Sequence, residues 1–552
     1  MVVVVVMALA GIAHGDGTNV LGVTQALQSS TVMYVDIVDP TTERISWMGS
    51  GTLKIYTPGT STQEGSLVWS GSPSPPALYT PTMAGMYGLV VSEDQVYNTP
   101  WDIDVYSTTT SATMGGRLWS YQWNLRAGSF SQSDAVDASV WAIFSTVLGL
   151  KLVETRFEGL AGFAYSLLGS TVGIASATPQ YKSVMQSGNT VSPEVRLYIN
   201  QPGHITLSPD VPFINFHGIR FITLGCGNFY SKCENVVSDK LHVQFMFETN
   251  AAGGRYRVVC DTDQDGIFDF VRETDTALLG ATVNGTNYVE WDGRDDSGAT
   301  VSPGNYQCKV YVYLTEMHFP MIDIETVYPG LRMYDHSTGS PVAQTMYWND
   351  AAVGAPVNMP NGQPGATNSG CCGVSSGASS DATVPNTNAR AWGNFDSGTK
   401  GDLAILNTFS LVDPVISSEF TISVGQPSMC ETAELYVIDT VVEEANSGTP
   451  TVTVPIAVSS FIASDVTLAY ATVDGTATAA DSDYTPASGT IVIPAGDFCN
   501  SITLTVGGDT AVESDEWFFV DIWQVAGPAI IIVEPRANVT LLNNDFPPPP
   551  PP

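Results

Sequence analysis

Residues 287–313 read NYVEWDGRDDSGATVSPGNYQCKVYVY, and this stretch indicates the fold of the chain most directly. It contains an apolar strand, an acidic turn, a Pro-Gly break and a second strand in which Tyr306, Cys308, Val310 and Val312 take alternate positions. A period of two places every second side chain on the same face of a sheet. The stretch therefore predicts two β-strands joined by a turn.

The composition of all 552 residues extends this prediction to the whole chain. Only 14% of the residues are charged, whereas the chain has 51 glycines and 34 prolines, which suits short strands joined by turns. A chain of this length is expected to form about three to five domains. We predict a mainly β protein of tandem β-sandwich domains, with minor helix around 139–175, where two apolar runs occur.

The net charge limits the partners of the chain. Its formal value is -35, from 20 lysines and arginines against 55 aspartates and glutamates. Such a charge opposes binding to nucleic acid and to anionic membrane surfaces. The acidity has two interpretations that are compatible, namely a solvated surface adapted to salty surroundings and several cation sites.

The first fifteen residues, MVVVVVMALAGIAHG, form a short apolar run that ends in small residues. This pattern is typical of a secretory signal peptide cleaved near Gly15, although a basic n-region is missing, and a buried first strand is the alternative. The longest uncharged apolar runs elsewhere are too short for a convincing membrane span. We predict an extracellular or cell-surface protein with no integral membrane span.

Residues 226–340, which include the stretch quoted first, resemble the Ig-like domain of the FlgD family. That domain was first described in flagellar hook-capping proteins and is common as a module in secreted bacterial proteins. The resemblance implies an Ig-like sandwich and says little about activity, because the module serves many proteins. The matching residues are Trp291, Asp292, Gly293, Asp295, Gly298, Pro303, Gly304 and Tyr306.

Residues 429–546 carry three segments in a characteristic order: LAYATVDGTATAADSDYTPASGTIVIPAG, TLTVGGDTAVESDEWFFVDI and VTLLNND. They resemble a Calx-β domain, a calcium-binding sandwich found in sodium–calcium exchangers and many bacterial surface proteins. The resemblance implies Ca²⁺ at one end of the sandwich. The implied ligands are Glu444, Asp483, Asp509, the carbonyl of Ala511, Glu513, Glu516 and Asp545.

The number of ions at this end is expected to be small. Gly508, Asn543 and Asn544 stand where the richest members of the family have acids, so we expect one or two calcium ions. The alternative is an empty sandwich with a structural role.

A second candidate calcium site is CDTDQDGIFD at residues 260–269. Carboxylates at every second position repel one another unless a cation lies among them. An EF-hand is doubtful because Arg272 stands where a bidentate Glu is expected, so we predict a DxDxDG loop between strands, with a solvated acidic turn as the alternative. The predicted ligands are Asp261, Asp263, Asp265, the carbonyl of Ile267 and Asp269.

The eight cysteines lack zinc-finger spacing and therefore predict disulfides formed in an oxidising compartment. Two of the expected pairs each lie within one predicted sandwich, and a third would close a small loop. The expected pairs are Cys260–Cys308, Cys430–Cys499 and Cys226–Cys233. For the adjacent Cys371 and Cys372, the sequence leaves two alternatives, a vicinal disulfide and bonds to other partners.

Candidate catalytic arrangements are weak. GVSSG at residues 373–377 fits GxSxG but lies inside a Gly/Ser-rich linker instead of a strand-to-helix turn. Near Glu316 and His318, alternation on a strand would put Asp323 and Glu325 on one face as a minor candidate for a metal or hydrolytic site. We predict that the protein is not an enzyme.

The predicted function is that of a calcium-binding, secreted or cell-surface modular protein for adhesion or extracellular structure. Its expected partners are cell-surface or matrix components, glycans or further copies of itself. The alternatives are a subunit of an extracellular filament or matrix, and a carbohydrate-binding or carbohydrate-active protein. The predicted segments are 1–15 signal peptide, 16–115 β-sandwich, 116–225 β-rich domain, 226–340 FlgD-like Ig domain, 341–428 Gly/Ser-rich linker and β segment, 429–546 Calx-β domain and 547–552 polyproline tail.

Overall fold

The structure of the protein is a computed structural model, which describes residues 16–22, 24–59, 66–72, 77–129, 131–223, 236–238, 241–266, 268, 275–353, 373–375, 390–392, 400–425, 433–460 and 462–545. Strands and turns dominate these residues, which confirms a mainly β protein. The helical segments within them are α1 (Thr18–Leu21), a 3₁₀ turn at Ala351–Val353 and α2 (Lys400–Leu403). None of the described helices has the length and apolar character needed to cross a membrane.

The strands of the first 200 residues belong to one body, here called the N-terminal body. Four of them form a sheet of order β6-β3-β8-β9, and the others enter two larger sheets. These strands are β1 (Ala26–Leu27), β2 (Met33–Ile37), β3 (Glu43–Met48), β4 (Leu53–Tyr56), β5 (Leu67–Gly71), β6 (Ala77–Tyr79), β7 (Gly85–Val91), β8 (Asp102–Ser107), β9 (Ala112–Met114), β10 (Leu118–Ser120), β11 (Gln122–Arg126), β12 (Val136–Thr146), β13 (Gly149–Ala161), β14 (Tyr165–Leu168), β15 (Val184–Met185) and β16 (Arg196–Tyr198).

The next sixteen strands divide between the N-terminal body and a second body, the inserted sandwich. They are β17 (Asn215–Thr223), β18 (Val236–Val237), β19 (Leu241–Thr249), β20 (Arg255–Cys260), β21 (Thr276–Ala281), β22 (Gly285–Trp291), β23 (Gly304–Tyr313), β24 (Thr315–Ile322), β25 (Thr326–Asp335), β26 (Val342–Ala343), β27 (Met346–Trp348), β28 (Gly373–Ser375), β29 (Arg390–Trp392), β30 (Ala404–Val412), β31 (Val415–Ile416) and β32 (Phe420–Val424).

Strands β24 to β30 return to the N-terminal body and complete its two large sheets. One sheet has the order β1-β11-β14-β24-β30-β27-β28 with β15 beside β30, and the other has the order β26-β25-β13-β12-β16-β10-β2-β7-β4-β5 with β29 beside β25. Strands β29 and β30, which follow the predicted Gly/Ser-rich linker, therefore pack onto strands that precede it.

A large hydrophobic core unites the N-terminal body. It extends along the sequence from Leu21 to Val412 and includes Trp47, Trp123 and Trp392, which have no exposed surface. Strands from the predicted regions 16–115 and 116–225 pair directly, since β10 lies beside β2. The predicted boundary at residue 115 therefore does not separate two sheets.

The helix predicted around 139–175 is wrong. The two apolar runs form β12, β13 and β14, and the residues of β12 alternate between buried and half-buried positions. Ala138, Val140, Ala142 and Phe144 face the core, while Trp141 packs against an aromatic cluster on the other face. Because both faces carry apolar side chains, the alternation is hidden and the run resembles a buried helix.

The inserted sandwich consists of a three-stranded sheet, β17-β19-β22, and a six-stranded sheet that contains β18, β32, β23, β20 and β21 in this order with β31 beside β23. It therefore uses residues 215–313 and 415–424, whereas residues 315–335 of the predicted Ig-like segment belong to the N-terminal body. The chain crosses between the two bodies at Leu314 and again at Asp413–Pro414.

The acidic turn quoted first has a local structural role. Trp291 is buried and donates from its indole nitrogen to the carbonyl of Arg294 at 2.7 Å. Asp295 accepts from the backbone N–H groups of Ser297 and Ala299 at 2.9 Å. Gly298 has φ +82°, a conformation that favours glycine. The motif residues therefore specify a tight turn between two strands.

The last sandwich contains two sheets, β38-β35-β33-β40 and β34-β41-β39-β36-β37. Its core includes Val454, Leu468, Phe518 and Val539. The strands are β33 (Glu434–Val437), β34 (Thr440–Glu443), β35 (Thr451–Val458), β36 (Val466–Val473), β37 (Ser488–Ile493), β38 (Cys499–Thr505), β39 (Glu516–Ala526), β40 (Ile531–Glu534) and β41 (Arg536–Leu542).

The disulfide Cys260–Cys308 is present and joins residues that lie opposite each other on β20 and β23, which confirms this pairing. Cys499 is also disulfide-bonded. The remaining five cysteines, Cys226, Cys233, Cys371, Cys372 and Cys430, lie outside the described residues. The pairings Cys430–Cys499 and Cys226–Cys233 therefore stay predictions.

Candidate metal centre

One end of the last sandwich gathers acidic side chains from several strands. Glu444 follows β34 and Asp545 follows β41, and these strands pair in parallel. The backbone N–H of Glu444 donates to the carbonyl of Leu542 at 2.9 Å, which extends the pairing to the acidic residues. Two residues that are distant in the sequence therefore reach the same edge of the sandwich because their strands end side by side.

Three further acids lie on neighbouring loops and at the first residue of β39. Asp483, Glu513 and Glu516 each offer a carboxylate oxygen to a group whose atoms lie within 4.8 Å of one another. Asp483 is held in place by the N–H of Thr478, which donates to its Oδ2 at 2.6 Å. In addition, the N–H of Gly507 donates to the Asp483 carbonyl at 2.7 Å. This loop presents a fixed carboxylate beside two glutamates.

The proximity of the acids changes their ionisation. Burial raises the pKa of Glu444, and the charges of Asp509, Glu513 and Asp545 raise it further. Burial likewise raises the pKa of Glu513, with added contributions from Asp509 and Asp483. The pKa of Glu516 is raised first by burial and then by Asp483. A cation among these groups would relieve their repulsion.

Asp545 provides a second sign of a cation site. The residue is only 8% exposed, and its Oδ2 has no hydrogen-bond partner among the described residues. Its Oδ1 accepts from the side-chain amide of Asn446 at 2.8 Å. A buried carboxylate oxygen without a donor is unfavourable unless a positive charge lies beside it.

The structure therefore brings together all six acids that the resemblance implied, and it adds one. Asp481 lies two residues before Asp483, and its charge adds to burial and to the charges of Asp509 and Asp483 in raising the pKa of Glu513. Its place in the run DSD was a signal that sequence reasoning missed. The N–H of Ala511 donates to Oδ1 of Asp509 at 2.6 Å, which curls the loop that carries both residues.

The DxDxDG loop forms a separate acidic group in the inserted sandwich. It begins directly after Cys260, where the disulfide fixes the end of β20 to β23. Asp261, Asp263 and Asp265 each present an oxygen within 4.8 Å of the others. Ile267 and Asp269 lie outside the described residues, so their part in the site stays a prediction.

Backbone hydrogen bonds curl this loop around Asp261. The N–H groups of Asp265 and Gly266 donate to the two carboxylate oxygens of Asp261 at 3.1 and 3.0 Å. Burial raises the pKa of Asp261, and the charges of Asp265 and Asp263 act in the same direction. The donor set is composed of oxygen ligands only, which suits Ca²⁺ better than a transition metal.

A third acidic group lies in the N-terminal body and contains Asp323, Glu325 and Asp402. Burial is the main cause that raises the pKa of Glu325 to about 7. The backbone N–H of Phe163 donates to both oxygens of Glu325 at 3.1 and 3.0 Å. Asp323 has φ +59° and lies in the turn between β24 and β25. The two acids are therefore brought together by this turn and not, as expected, by alternation along one strand. Asp402 comes from α2, and no spacing in the sequence indicated it.

Comparison with known proteins supports the assignment of the last sandwich. The family model described as Calx-beta domain matches residues 432–545. No curated protein is similar enough to the chain to match it.

Solved structures similar to this part of the chain include two Calx domains. The apo-form Calx CBD1 domain is 24% identical, with 21% of this chain and 100% of that chain covered and a TM-score of 0.19. The Calx CBD2 domain is 18% identical, with 20% of this chain and 85% of that chain covered and a TM-score of 0.18. On the match to the family model, residues 432–545 are a Calx-beta domain.

Proposed function

We propose that the protein is a calcium-binding modular protein of the cell surface or extracellular space that serves adhesion or extracellular structure. The observation that carries the calcium proposal is the convergence of six carboxylates at one end of the Calx-beta domain, with a buried oxygen of Asp545 left without a donor. The Calx-beta family is a family of calcium-binding domains, and one of the similar solved structures is the calcium binding domain CBD12 of CALX1.1.

Calcium suits this end of the domain because it accepts six to eight oxygen ligands in loose geometry. The proposed ligands are Glu444, Asp483, Asp509, the carbonyl of Ala511, Glu513, Glu516 and Asp545. For the DxDxDG loop they are Asp261, Asp263 and Asp265, with Ile267 and Asp269 as predicted additions.

Calorimetric titration of the chelator-treated protein with CaCl₂ tests both sites. The wild-type protein is expected to release or absorb heat in two sets of binding events. Asp483→Asn removes the set that belongs to the Calx-beta domain, and Asp263→Asn removes the set that belongs to the DxDxDG loop. Asp521→Asn, which removes an equal charge on the sheet surface beside Arg536, serves as the control and keeps both sets. Absence of heat in the wild-type protein contradicts the proposal.

The surroundings of Asp16 support export. The backbone nitrogen of Asp16 lies 2.5 Å from Oδ1 of Asp104. Burial, followed by the charges of Asp102 and Asp16, raises the pKa of Asp104 to about 7. Cleavage of the peptide bond after Gly15 would turn the Asp16 nitrogen into a cationic α-amino group beside this carboxylate. N-terminal sequencing of exported protein is expected to begin at Asp16, and a start at Met1 would contradict removal of a signal peptide.

A second candidate function, carbohydrate binding, is favoured by a cavity of about 610 Å³ on the N-terminal body. Tyr121 and Arg196 line the cavity, and Arg196 lies over the ring of Trp119 at 4.8 Å. Aromatic rings beside planar polar groups suit a sugar, whereas the guanidinium over the indole disfavours a cationic ligand. On a glycan array, Tyr121→Ala is expected to abolish binding, while the exposed Tyr288→Ala keeps it. An array without any bound glycan contradicts this candidate.

A further inference from the structure

A buried lysine in the N-terminal body lies in contact with an aspartate from the other large sheet. Lys151, on β13, has no exposed surface, and its Nζ lies 2.6 Å from Oδ2 of Asp413. Nζ also donates to the carbonyl of Ser208 at 3.0 Å and to the carbonyl of Asp210. These contacts hold the buried amine against the carboxyl group.

The choice of lysine at this position is unusual for the chain. Elsewhere in the described residues, arginine is paired with a buried acid, as in Arg117–Glu43 and Arg390–Asp350. Arginine makes more hydrogen bonds to a carboxylate and always keeps its charge, so it is the usual partner in a buried ion pair. Lysine differs in that its amine becomes a nucleophile once it loses a proton.

A second carboxyl group completes the arrangement. Asp335 ends β25, is 5% exposed and hydrogen-bonds to Asp413. Its Oδ1 accepts from the backbone N–H of Ser337 at 2.6 Å, and its Oδ2 has no N–H donor among the described residues. Burial, followed by the hydrogen bond with Asp335, raises the pKa of Asp413 to about 6. Two buried carboxyls in contact favour a shared proton, which leaves one of them as a neutral acid.

We propose that Lys151 and Asp413 form an intramolecular isopeptide bond, with Asp335 as the catalytic acid–base group. Asp335 takes a proton from the ammonium of Lys151, and the neutral amine attacks Cγ of Asp413. The new C–N bond forms, Asp335 passes its proton to the hydroxyl oxygen of Asp413 as the bond from Cγ to that oxygen breaks, and Asp335 then takes the second proton that the nitrogen loses on becoming an amide. One water molecule leaves and nothing is oxidised or reduced. A cavity of about 380 Å³, lined by Asp335 and Asp413, offers this water a place to go.

The position of the bond defines its consequence. Lys151 belongs to β13 of one large sheet, and Asp413 follows β30 of the other. Asp413 has φ +49° and lies at the point where the chain passes from the N-terminal body to the inserted sandwich. The bond would therefore join the two sheets covalently and close a loop that contains the whole first part of the inserted sandwich. A pulling force applied outside residues 151 and 413 would bypass that loop.

Mass spectrometry of the full chain, after reduction of disulfides, tests this proposal. The wild-type protein is expected to be lighter than its sequence by one water molecule, and its proteolytic digest to contain a branched peptide that joins Lys151 to Asp413. Lys151→Arg, processed in the same way, keeps an ion pair and is expected to lose no water. A wild-type mass that equals the sequence mass, with Lys151 in a linear peptide, would overturn the proposal and leave an ion pair only.

Two comparisons make the test specific. Asp335→Asn keeps the size of the side chain and is expected to slow formation of the bond by about 10²-fold or more, the usual contribution of a general acid–base group. Equal rates in this variant and the wild type would overturn the role of Asp335. The exposed pair Lys309–Glu419, with its atoms 2.9 Å apart, is the internal control and is expected to stay uncrosslinked in every sample.

Discussion

At the scale of single residues, burial decides how each acidic side chain behaves. Asp545 and Glu325 are both buried, yet their partners differ. Asp545 has an oxygen without a donor, whereas both oxygens of Glu325 accept from the N–H of Phe163. The unpaired oxygen of Asp545 favours a bound cation, whereas Glu325 reduces the cost of its burial by keeping a proton. Asp545 is therefore expected to respond to calcium and Glu325 to pH.

Asp545→Asn is expected to have opposite effects with and without calcium. In chelator the variant melts at the same temperature as the wild type or higher, because a buried charge without a partner has been removed. With calcium at tenfold its Kd, the wild-type domain gains about 1.4 kcal/mol and the variant loses most of this gain. Calorimetric melting in both buffers checks the prediction. A variant that melts lower in chelator and keeps its response to calcium would contradict a role for Asp545 in holding the ion.

The second prediction at this scale concerns pH. The folded protein raises the pKa of Glu325 to about 7, so protonation stabilises the fold below about 4.5, and this contribution is lost as the pH rises through 7. Glu325→Gln stays neutral and is expected to be more stable than the wild type by about 1–2 kcal/mol at pH 8, with no advantage at pH 4. Urea unfolding at both pH values measures the difference. The exposed Glu93→Gln is the control, and a gain that is independent of pH would count against this account.

At the scale of elements, the ends of strands position the candidate metal groups. The acids of the Calx-beta domain follow β34 and β41, lie on the loops before β37 and β39, or begin β39, and they are close to one another because these strands end together. The DxDxDG loop instead depends on one strand, β20, whose last residue is Cys260. Its disulfide with Cys308 fixes the start of the loop.

Replacing both Cys260 and Cys308 by serine tests this dependence. Loss of the cross-link is expected to destabilise the inserted sandwich by about 2–4 kcal/mol. It should also weaken calcium binding at the DxDxDG loop, because Asp261 is the next residue after Cys260. Calorimetric titration provides its own control, since binding at the Calx-beta domain should not change. Unaltered affinity at the DxDxDG loop would show that the disulfide does not organise it.

At the scale of the whole molecule, the chain interleaves its bodies instead of forming a simple row. It leaves the N-terminal body for the inserted sandwich, returns at β24 and leaves again at β31. Phe498 of the last sandwich is 3% exposed and packs in the core of the inserted sandwich. The DxDxDG loop lies at the end of the inserted sandwich from which the chain leaves for the last sandwich, because Gln264 donates to the carbonyl of Asn305 and the neighbouring Gly304 pairs with Val424, the last residue of β32.

Calcium at the DxDxDG loop is therefore expected to set the angle and rigidity between the last two sandwiches. Small-angle scattering should show a more defined and less variable envelope with CaCl₂ than with chelator. Asp263→Asn should remove this difference, whereas Asp483→Asn should keep it, because Asp483 lies at the end of the Calx-beta domain away from Phe498. Identical envelopes with calcium and with chelator would contradict the prediction.

The amino-acid sequence by itself determined features that depend on neighbours in the chain. Alternation along 304–313, the turn residues around Gly298 and the spacing of Asp261, Asp263 and Asp265 are local, so strand, turn and acidic loop could be predicted from them. The Calx-beta acids could be named in advance because three segments of the sequence resemble that family, and the resemblance implies the ligand positions. The double-faced apolar strands at 136–168 were mistaken for helix because burial on both faces hides their period.

Tertiary structure alone decided which distant residues meet. No spacing relates Asp402 to Glu325, or Lys151 to Asp335 and Asp413, and they are neighbours only because β13, β25 and β30 belong to one body around a common core. The same holds for the return of the chain from the inserted sandwich to the N-terminal body. Strand pairing between residues hundreds of positions apart is set by the burial of complementary faces, which local sequence patterns do not encode.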